Sequence, residues 1–287
     1  MDKNLKNVVK EALGCELDSF SVEYQSDGLT NKNFIIADDS NKYAVRIGRE
    51  NFHELGINRS GELAAMKAAA DIGVGADIIY FSEDTGNMVT VYIEGKKWSY
   101  EDVVVPANLL RLADTLKRVH RLPPVLFEFS PYRDIEDRIN YAKQHNMELP
   151  EFINELLDKM HSIKNARDEK KQFYTGLCHN DPFPNNFLDD GSLRLIDWEY
   201  AGMGDIFFDL SIVCMPYTRS QKEEFLRNYF GYCDEEKMDG LEKMGFIVAF
   251  WNAMWAILQA GAANTGNDYS IMARQMFVSL KEYLQET

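Results

Sequence analysis

Cysteine is sparse and scattered in this chain. Cys15, Cys178, Cys214 and Cys233 are its only four; no two form a CxxC pair, so neither a disulfide framework nor a zinc site is indicated and reduced thiols are expected. Positive charge is also short, with 31 basic residues against 46 acidic ones and a formal net charge of -15. That deficit disfavours nucleic acid and anionic membranes as partners and inclines the chain toward a cationic one, although acidity also serves solubility alone. The run MDKNLKNVVKEAL has no apolar signal core, and no window reads as long enough to cross a bilayer, which predicts a cytoplasmic protein. Internal repeats and low-complexity tracts are missing. What is present, 45% hydrophobic residues over 287 positions, suffices for two lobes with their own cores.

The densest chemistry lies between Leu177 and Leu210. His179, Asp181 and Asn186 fit the spacing HxDxxxxN, and Asp197 follows a hairpin that turns at Asp189, Asp190 and Gly191. Transfer of a phosphoryl group from ATP needs a carboxylate beside the acceptor hydroxyl and separate oxygen ligands for magnesium. Asp181 suits the first role, Asn186 and Asp197 the second, since magnesium prefers hard oxygen donors. His179 reads as scaffold rather than base. Leu193, Leu195 and Ile196 form a short apolar strand that presents Asp197 at its end. Asp and Asn also populate ordinary turns, and it is the second element at the right distance that favours kinase chemistry.

These residues, with Ile196, Asp197, Trp198, Glu199 and Tyr200, resemble the paired signatures of the choline/ethanolamine kinase family. That family belongs to the wider group of aminoglycoside phosphotransferase-like and protein-kinase-like folds. The protein-kinase loop has Arg where Asn180 stands, and Phe and Gly where Trp198 and Glu199 stand, which points away from protein substrates. The resemblance implies an α+β fold of two lobes, with a five-stranded antiparallel sheet and a helix before a larger, mainly helical lobe. It also implies ATP and Mg2+ as cofactors.

In chain order, Leu5, Val8, Val9 and Leu13 share one helical face that ends at Gly14. Alternation in Phe20 to Tyr24, Phe34 to Ala37, Tyr43 to Ile47, Ile78 to Phe81 and Met88 to Ile93 predicts five strands. The turn from Ser26 to Asn33 has a single glycine and could be a plain hairpin. It resembles the GxTN segment of choline kinases, which makes Ser26, Gly28, Thr30, Asn31 and Asn33 candidate nucleotide contacts. Arg46 stands where protein kinases carry their phosphate-binding lysine, and Glu62, on a helix starting near Asn58 or Ser60, is its expected carboxylate partner. Tyr92 and Ile93 would meet adenine through backbone groups. The expected division is a nucleotide lobe at 1–93, a hinge at 94–100 and a catalytic and acceptor-binding lobe at 101–287.

Beyond the hinge, helical periodicity takes over. His120 closes an apolar face before Pro123 and Pro124, and reads as a hydrogen-bonded packing residue. Asp205 and Asp209 either brace the catalytic loop or cap a helix. In FWNAMWAILQ, Trp251 and Trp255 share a helical stripe that could simply be core. A similar segment in choline kinases implies an aromatic box for a quaternary ammonium ion, joined by Glu199, Tyr200 and Tyr217, with Trp255 the stronger candidate. The reading is therefore an ATP- and Mg2+-dependent choline kinase making phosphocholine. Alternatives are an ethanolamine, thiamine or aminoglycoside kinase of the same fold, or a nucleotide-binding scaffold without activity.

Overall fold

The structure is a computed structural model that describes residues 2–25, 31–48, 56–172, 174–261 and 269–285. Helix α1 (Lys3–Leu13) starts where the Asp2 side chain accepts from the Asn4 backbone and stops at Gly14, whose φ of 69° few other residues tolerate. Strands β1 (Ser21–Gln25), β2 (Lys32–Ala37), β3 (Lys42–Ile47), β4 (Ile78–Phe81) and β5 (Met88–Val91) form one antiparallel sheet in the order β1-β2-β3-β5-β4. The strand residues facing α1 alternate with outward ones, so Phe34, Ile36, Val45, Ile47 and Val89 meet Leu5, Val8 and Val9 in a small separate core. Helix α2 (Arg59–Asp71), capped by Asn58, packs the other way: Ala65, Met66 and Ala69 join the larger core.

That larger core is built from α3 (Tyr100–Val103), α4 (Pro106–His120), α5 (Pro131–Gln144), α6 (Ile153–Glu169), α7 (Phe207–Val213), α8 (Arg219–Phe230), α9 (Glu235–Gly261) and α10 (Tyr269–Gln285). Two small sheets flank the segments of His179 to Asn186 and of Asp197. β6 (Lys96–Lys97) pairs with β8 (Phe187–Asp189), which pairs with β9 (Leu193–Leu195); β7 (Thr175–Cys178) pairs with β10 (Gly202–Asp205). The α+β class is as expected. Strands β6, β7 and β10 were not, because Lys96–Lys97, TGLC and GMGD have neither the length nor the alternation that marks a strand.

Helix α9 departs from the sequence reading. It is long and apolar enough, by length and composition, to cross a membrane, where no such window was expected. Within the fold 67% of its apolar window is buried, and Phe246, Phe250 and Trp251 are almost wholly covered. Burial of such side chains is worth roughly 1.5–3 kcal/mol each, so the apolar surface is accounted for by the core.

Phe127 joins the two parts. Its backbone carbonyl accepts from Met203 N at 2.8 Å, and its side chain lies so close to Gly61 and Gly202 that a Cβ on either would stand 2.9 or 2.8 Å from it. Two glycines thus let one ring wedge between the start of α2 and β10.

Candidate active site

Strand β7 delivers the chain to His179, and α7 fixes the loop that begins there. The Asp209 carboxylate accepts from the backbone of His179 at 2.8 Å and of Asn180 at 2.7 Å, so it braces this loop instead of only capping a helix. Behind it, Asp209 meets His120 Nε2 at 3.0 Å, and His120 Nδ1 meets Tyr229 Oη at 2.6 Å. The bracing holds Asn180 at φ 64°, in the left-handed region that asparagine tolerates better than most residues. Asn180 Nδ2 donates to Tyr200 O at 2.8 Å.

His179 is fully buried, and burial pushes its pKa down to about 4, so the ring is neutral. Its Nδ1 accepts from Asp181 N at 3.3 Å, which leaves Nε2 as the donor to Ile196 O at 3.0 Å. Trp198 packs edge-on against it at 4.7 Å between centroids. The ring therefore ties the loop of Asp181 to the loop of Asp197, as a scaffold does.

Asn186, on a short 3-10 turn (Pro184–Asn186), donates its Nδ2 to Asp181 O at 2.8 Å and to Asp181 Oδ2 at 2.9 Å. Its Oδ1 remains an acceptor. Asp197 sits at φ 67° at the end of the hairpin, with its side chain 40% exposed and a carboxylate oxygen 4.0 Å from Arg46 Nη1. Burial, then the charges of Asp197 and Glu199, hold Asp181 well above the usual carboxylate range. The protein packed around the part of Asp197 that solvent does not reach, and then Glu199, likewise push it up to about 7. Carboxylates crowded this way favour a cation among them. An amide oxygen and a carboxylate are the hard donor set suited to magnesium.

The opposite wall is a buried charge network. Glu62 accepts from Arg46 Nη1 at 2.5 Å and from Arg59 Nη1 at 2.6 Å, and Arg59 continues to Glu199 at 3.6 Å. Burial opposes the charge on Arg46, but the Glu62 carboxylate outweighs it and raises the pKa. Arg46 Nε donates to Gly86 O at 3.0 Å, while Nη2 has no partner among the described residues. Asn33 pairs across the sheet with Arg46, and Asn31 Nδ2 donates to Glu199 Oε2 at 3.0 Å. Sequence reading missed Arg59. Its signal was an arginine three positions before Glu62 on a helix, the spacing that puts both on one face.

The candidate acceptor residues divide. Trp255 Nε1 donates to Tyr200 Oη at 2.9 Å, and the Trp255 ring meets Tyr269 edge-on at 5.5 Å. Trp251 contacts Tyr200 at 5.2 Å, donates Nε1 to Asp134 at 3.0 Å, and carries the Arg138 guanidinium 3.9 Å from its ring centroid. One Trp251 face thus already holds a cation of the protein's own. Tyr217 points elsewhere, donating to Val103 O at 2.9 Å, and Glu199 is turned to Asn31 and Arg59. Tyr92 donates its backbone N–H to Lys42 O at 3.0 Å, directly before Ile93. Ser26, Gly28 and Thr30 lie outside the described residues.

Comparison with known proteins gives the family and the fold. Residues 22–244 match the family described as "Phosphotransferase enzyme family". A curated relative, "Protein LicA homolog" of Mycoplasma capricolum subsp. capricolum, is 29% identical over 173 residues, which are 59% of this chain and 68% of the relative. Among solved structures, a choline/ethanolamine kinase family protein from Mesorhizobium loti superposes with a TM-score of 0.77 at 27% identity, covering 93% of this chain and 88% of that one. Choline kinase LicA from Streptococcus pneumoniae superposes at 0.81 and 22% identity, covering 98% and 99%. The kinase-like fold is thereby shared, and the resemblance read from the motifs is matched.

Proposed function

The chain belongs to the phosphotransferase enzyme family, and from that premise we propose that it transfers the γ-phosphoryl group of ATP to the hydroxyl of choline. The observation that carries the reading is Asp181, oriented by Asn186 Nδ2 at 2.9 Å and followed by Asp197, whose side chain is partly open to solvent. Similar structures described as choline kinase or choline/ethanolamine kinase and the aromatic group around Trp255 support the choice of acceptor. Residues 1–93 then serve as nucleotide lobe, 94–100 as hinge and 101–287 as catalytic lobe, in a cytoplasmic enzyme with access to ATP.

In this mechanism the acceptor hydroxyl lies against Asp181, whose carboxylate takes the proton as the oxygen attacks phosphorus in line. The new P–O bond joins choline to the phosphoryl group, the bond from phosphorus to the β–γ bridging oxygen breaks, and ADP leaves. Asn186 Oδ1 and Asp197 would hold magnesium, which when bound neutralises phosphate charge. Arg46, kept charged by Glu62, stabilises negative charge on the phosphates from the sheet side. Ser26, Gly28, Thr30, Asn31 and Asn33 cover the nucleotide, and backbone groups at Tyr92 and Ile93 meet adenine.

The test is coupled ATP turnover with magnesium against choline, ethanolamine, thiamine and kanamycin, beside a control without acceptor. Preference for choline, abolished in Asp181→Asn while ATP still binds, is the expected result. Preference for another amine overturns the choice of acceptor and keeps the mechanism. Lack of turnover with all four overturns the reading as a choline kinase.

A further inference from the structure

If Asp181 is the base, the acceptor must reach it from solvent, and the question is which ring it meets on the way. Tyr200 and Trp255 are buried and hydrogen-bonded to each other. Arg138 covers a face of Trp251, and Tyr217 is committed to Val103 O. Among the described residues the exposed tyrosines are Tyr24, Tyr100, Tyr232 and Tyr283. Only Tyr100 stands at the catalytic turn.

Its position is built rather than incidental. Trp98 N donates to Phe187 O at 3.0 Å, one residue past Asn186, and the two rings pack at 6.0 Å. Ser99 then starts α3 with a reciprocal capping box to Asp102, and Lys96 bonds the same carboxylate. From behind, Tyr217 Oη donates to Val103 O, Gln221 Nε2 to Val104 O at 3.1 Å, and Asn108 Nδ2 to Asp102 O at 2.9 Å. A helix of four residues is too short to be stable alone, yet this one is tied on both sides and packs on the Pro184–Asn186 turn. The first residue of α3 is Tyr100, with 55% of its surface open. Burial, and then the charge of Asp181, raise its phenol pKa, and the same carboxylate acts on Tyr200. Tyr100 thus begins a helix that is packed on the turn just after Asp181.

We propose that Tyr100 is the solvent-side wall of the acceptor subsite, a ring face against which a cationic amino alcohol rests while its hydroxyl meets Asp181. The proposal rests on the choline reading above and adds a residue that the sequence motifs did not mark. A quaternary ammonium group has no N–H to donate, so a ring face within about 6 Å and nearby carboxylates are the partners left to it. Tyr100 would be a specificity-determining residue, acting on the acceptor and leaving the nucleotide untouched.

Being exposed, Tyr100 can be varied without opening a cavity. Tyr100→Ala and Tyr100→Leu are expected to raise KM for choline roughly tenfold, with KM for ATP changed by less than about twofold and thermal melting unaltered, whereas Tyr100→Phe stays within about threefold of wild type. If wild type prefers another cationic acceptor, the choline reading fails and the same KM comparison is made with that acceptor. An unchanged acceptor KM in Tyr100→Ala overturns the inference while leaving the kinase reading intact. So does an equal rise for acceptor and ATP, or a Tyr100→Phe as poor as alanine, which would place the effect in the hydroxyl. A wild type inactive with every acceptor overturns both.

Discussion

Replacing Glu62 by glutamine would test the buried network that joins the sheet to the segment of Asp197 and Glu199. The carboxylate has no solvent exposure and faces two guanidinium groups, Arg46 at 2.5 Å and Arg59 at 2.6 Å. Burial alone would raise its pKa, but the two arginines overcome that and lower it, so it is ionised in the native state. Glutamine keeps the shape and one acceptor oxygen but removes the charge, leaving both arginines buried against an amide that also presents an NH2 group. Breaking a buried pair costs about 3–5 kcal/mol, and the retained acceptor offsets about a third of it, so about 3 kcal/mol is expected. At roughly 2–4 °C per kcal/mol for a chain of this size, Tm should fall by about 6–12 °C. Calorimetry reads this directly. KM for ATP should rise in parallel, since Arg46 loses the anchor that aims it. A Tm loss below about 2 °C would refute the reasoning, because it would mean that the two guanidinium groups are satisfied without Glu62.

His179 makes stability depend on pH in a definite direction. The unfolded imidazole has a pKa near 6.5 and the folded one near 4, so the native state binds fewer protons between those values; its contribution is complete above pH 6.5 and is lost as pH falls toward 4. That window is worth about 3 kcal/mol, and urea midpoints of wild type and His179→Gln should converge between pH 7 and pH 5; subtracting the two cancels Asp181 and Asp197, whose raised values act with the opposite sign. Parallel pH profiles would refute it. Gly86→Ala should also be costly, because Gly86 has φ 69° and a Cβ there would stand 2.5 Å from Arg59 Nε. Left-handed strain alone is about 1–2 kcal/mol, and displacement of Arg59 should add a rise in KM for ATP, measured by melting and steady-state kinetics.

Much of the sheet and most helices were legible because their patterns are local. Alternation in Phe34 to Ala37 and a helical stripe in Leu5, Val8 and Val9 follow from the nearest neighbours in sequence. The candidate site was readable as a spacing for a related reason: Asp181, Asn186 and Asp197 are held by one short loop and one hairpin. What escaped depends on distant segments. TGLC becomes β7 only because GMGD, more than twenty residues on, supplies its hydrogen bonds. Tyr217 could be assigned to a pocket from its chemistry, yet the group that claims it is the carbonyl of Val103. Trp251 and Trp255 share one helical stripe in sequence, and the groups that occupy them come from elsewhere: Asp134 and Arg138 of α5 for Trp251, Tyr200 for Trp255.

The same limit explains why the charge network matters more than its separate members. Arg46, Arg59, Glu62 and Glu199 are each no more than 4% exposed, and they come from β3, α2 and the segment after β9. Replacing buried ion pairs by apolar residues of similar size is often neutral or stabilising by about 1–4 kcal/mol, so stability alone gives little reason for four such charges. Their common direction does. Arg46 reaches toward Asp197 and Arg59 toward Glu199, so the position of these two carboxylates is tied to α2 and the sheet. With Phe127 wedged between Gly61 and Gly202, α2 is held from both sides. That geometry keeps Arg46 and the loop of Asp181 in register before any ligand arrives, which is the preorganisation that the proposed phosphoryl transfer would reward.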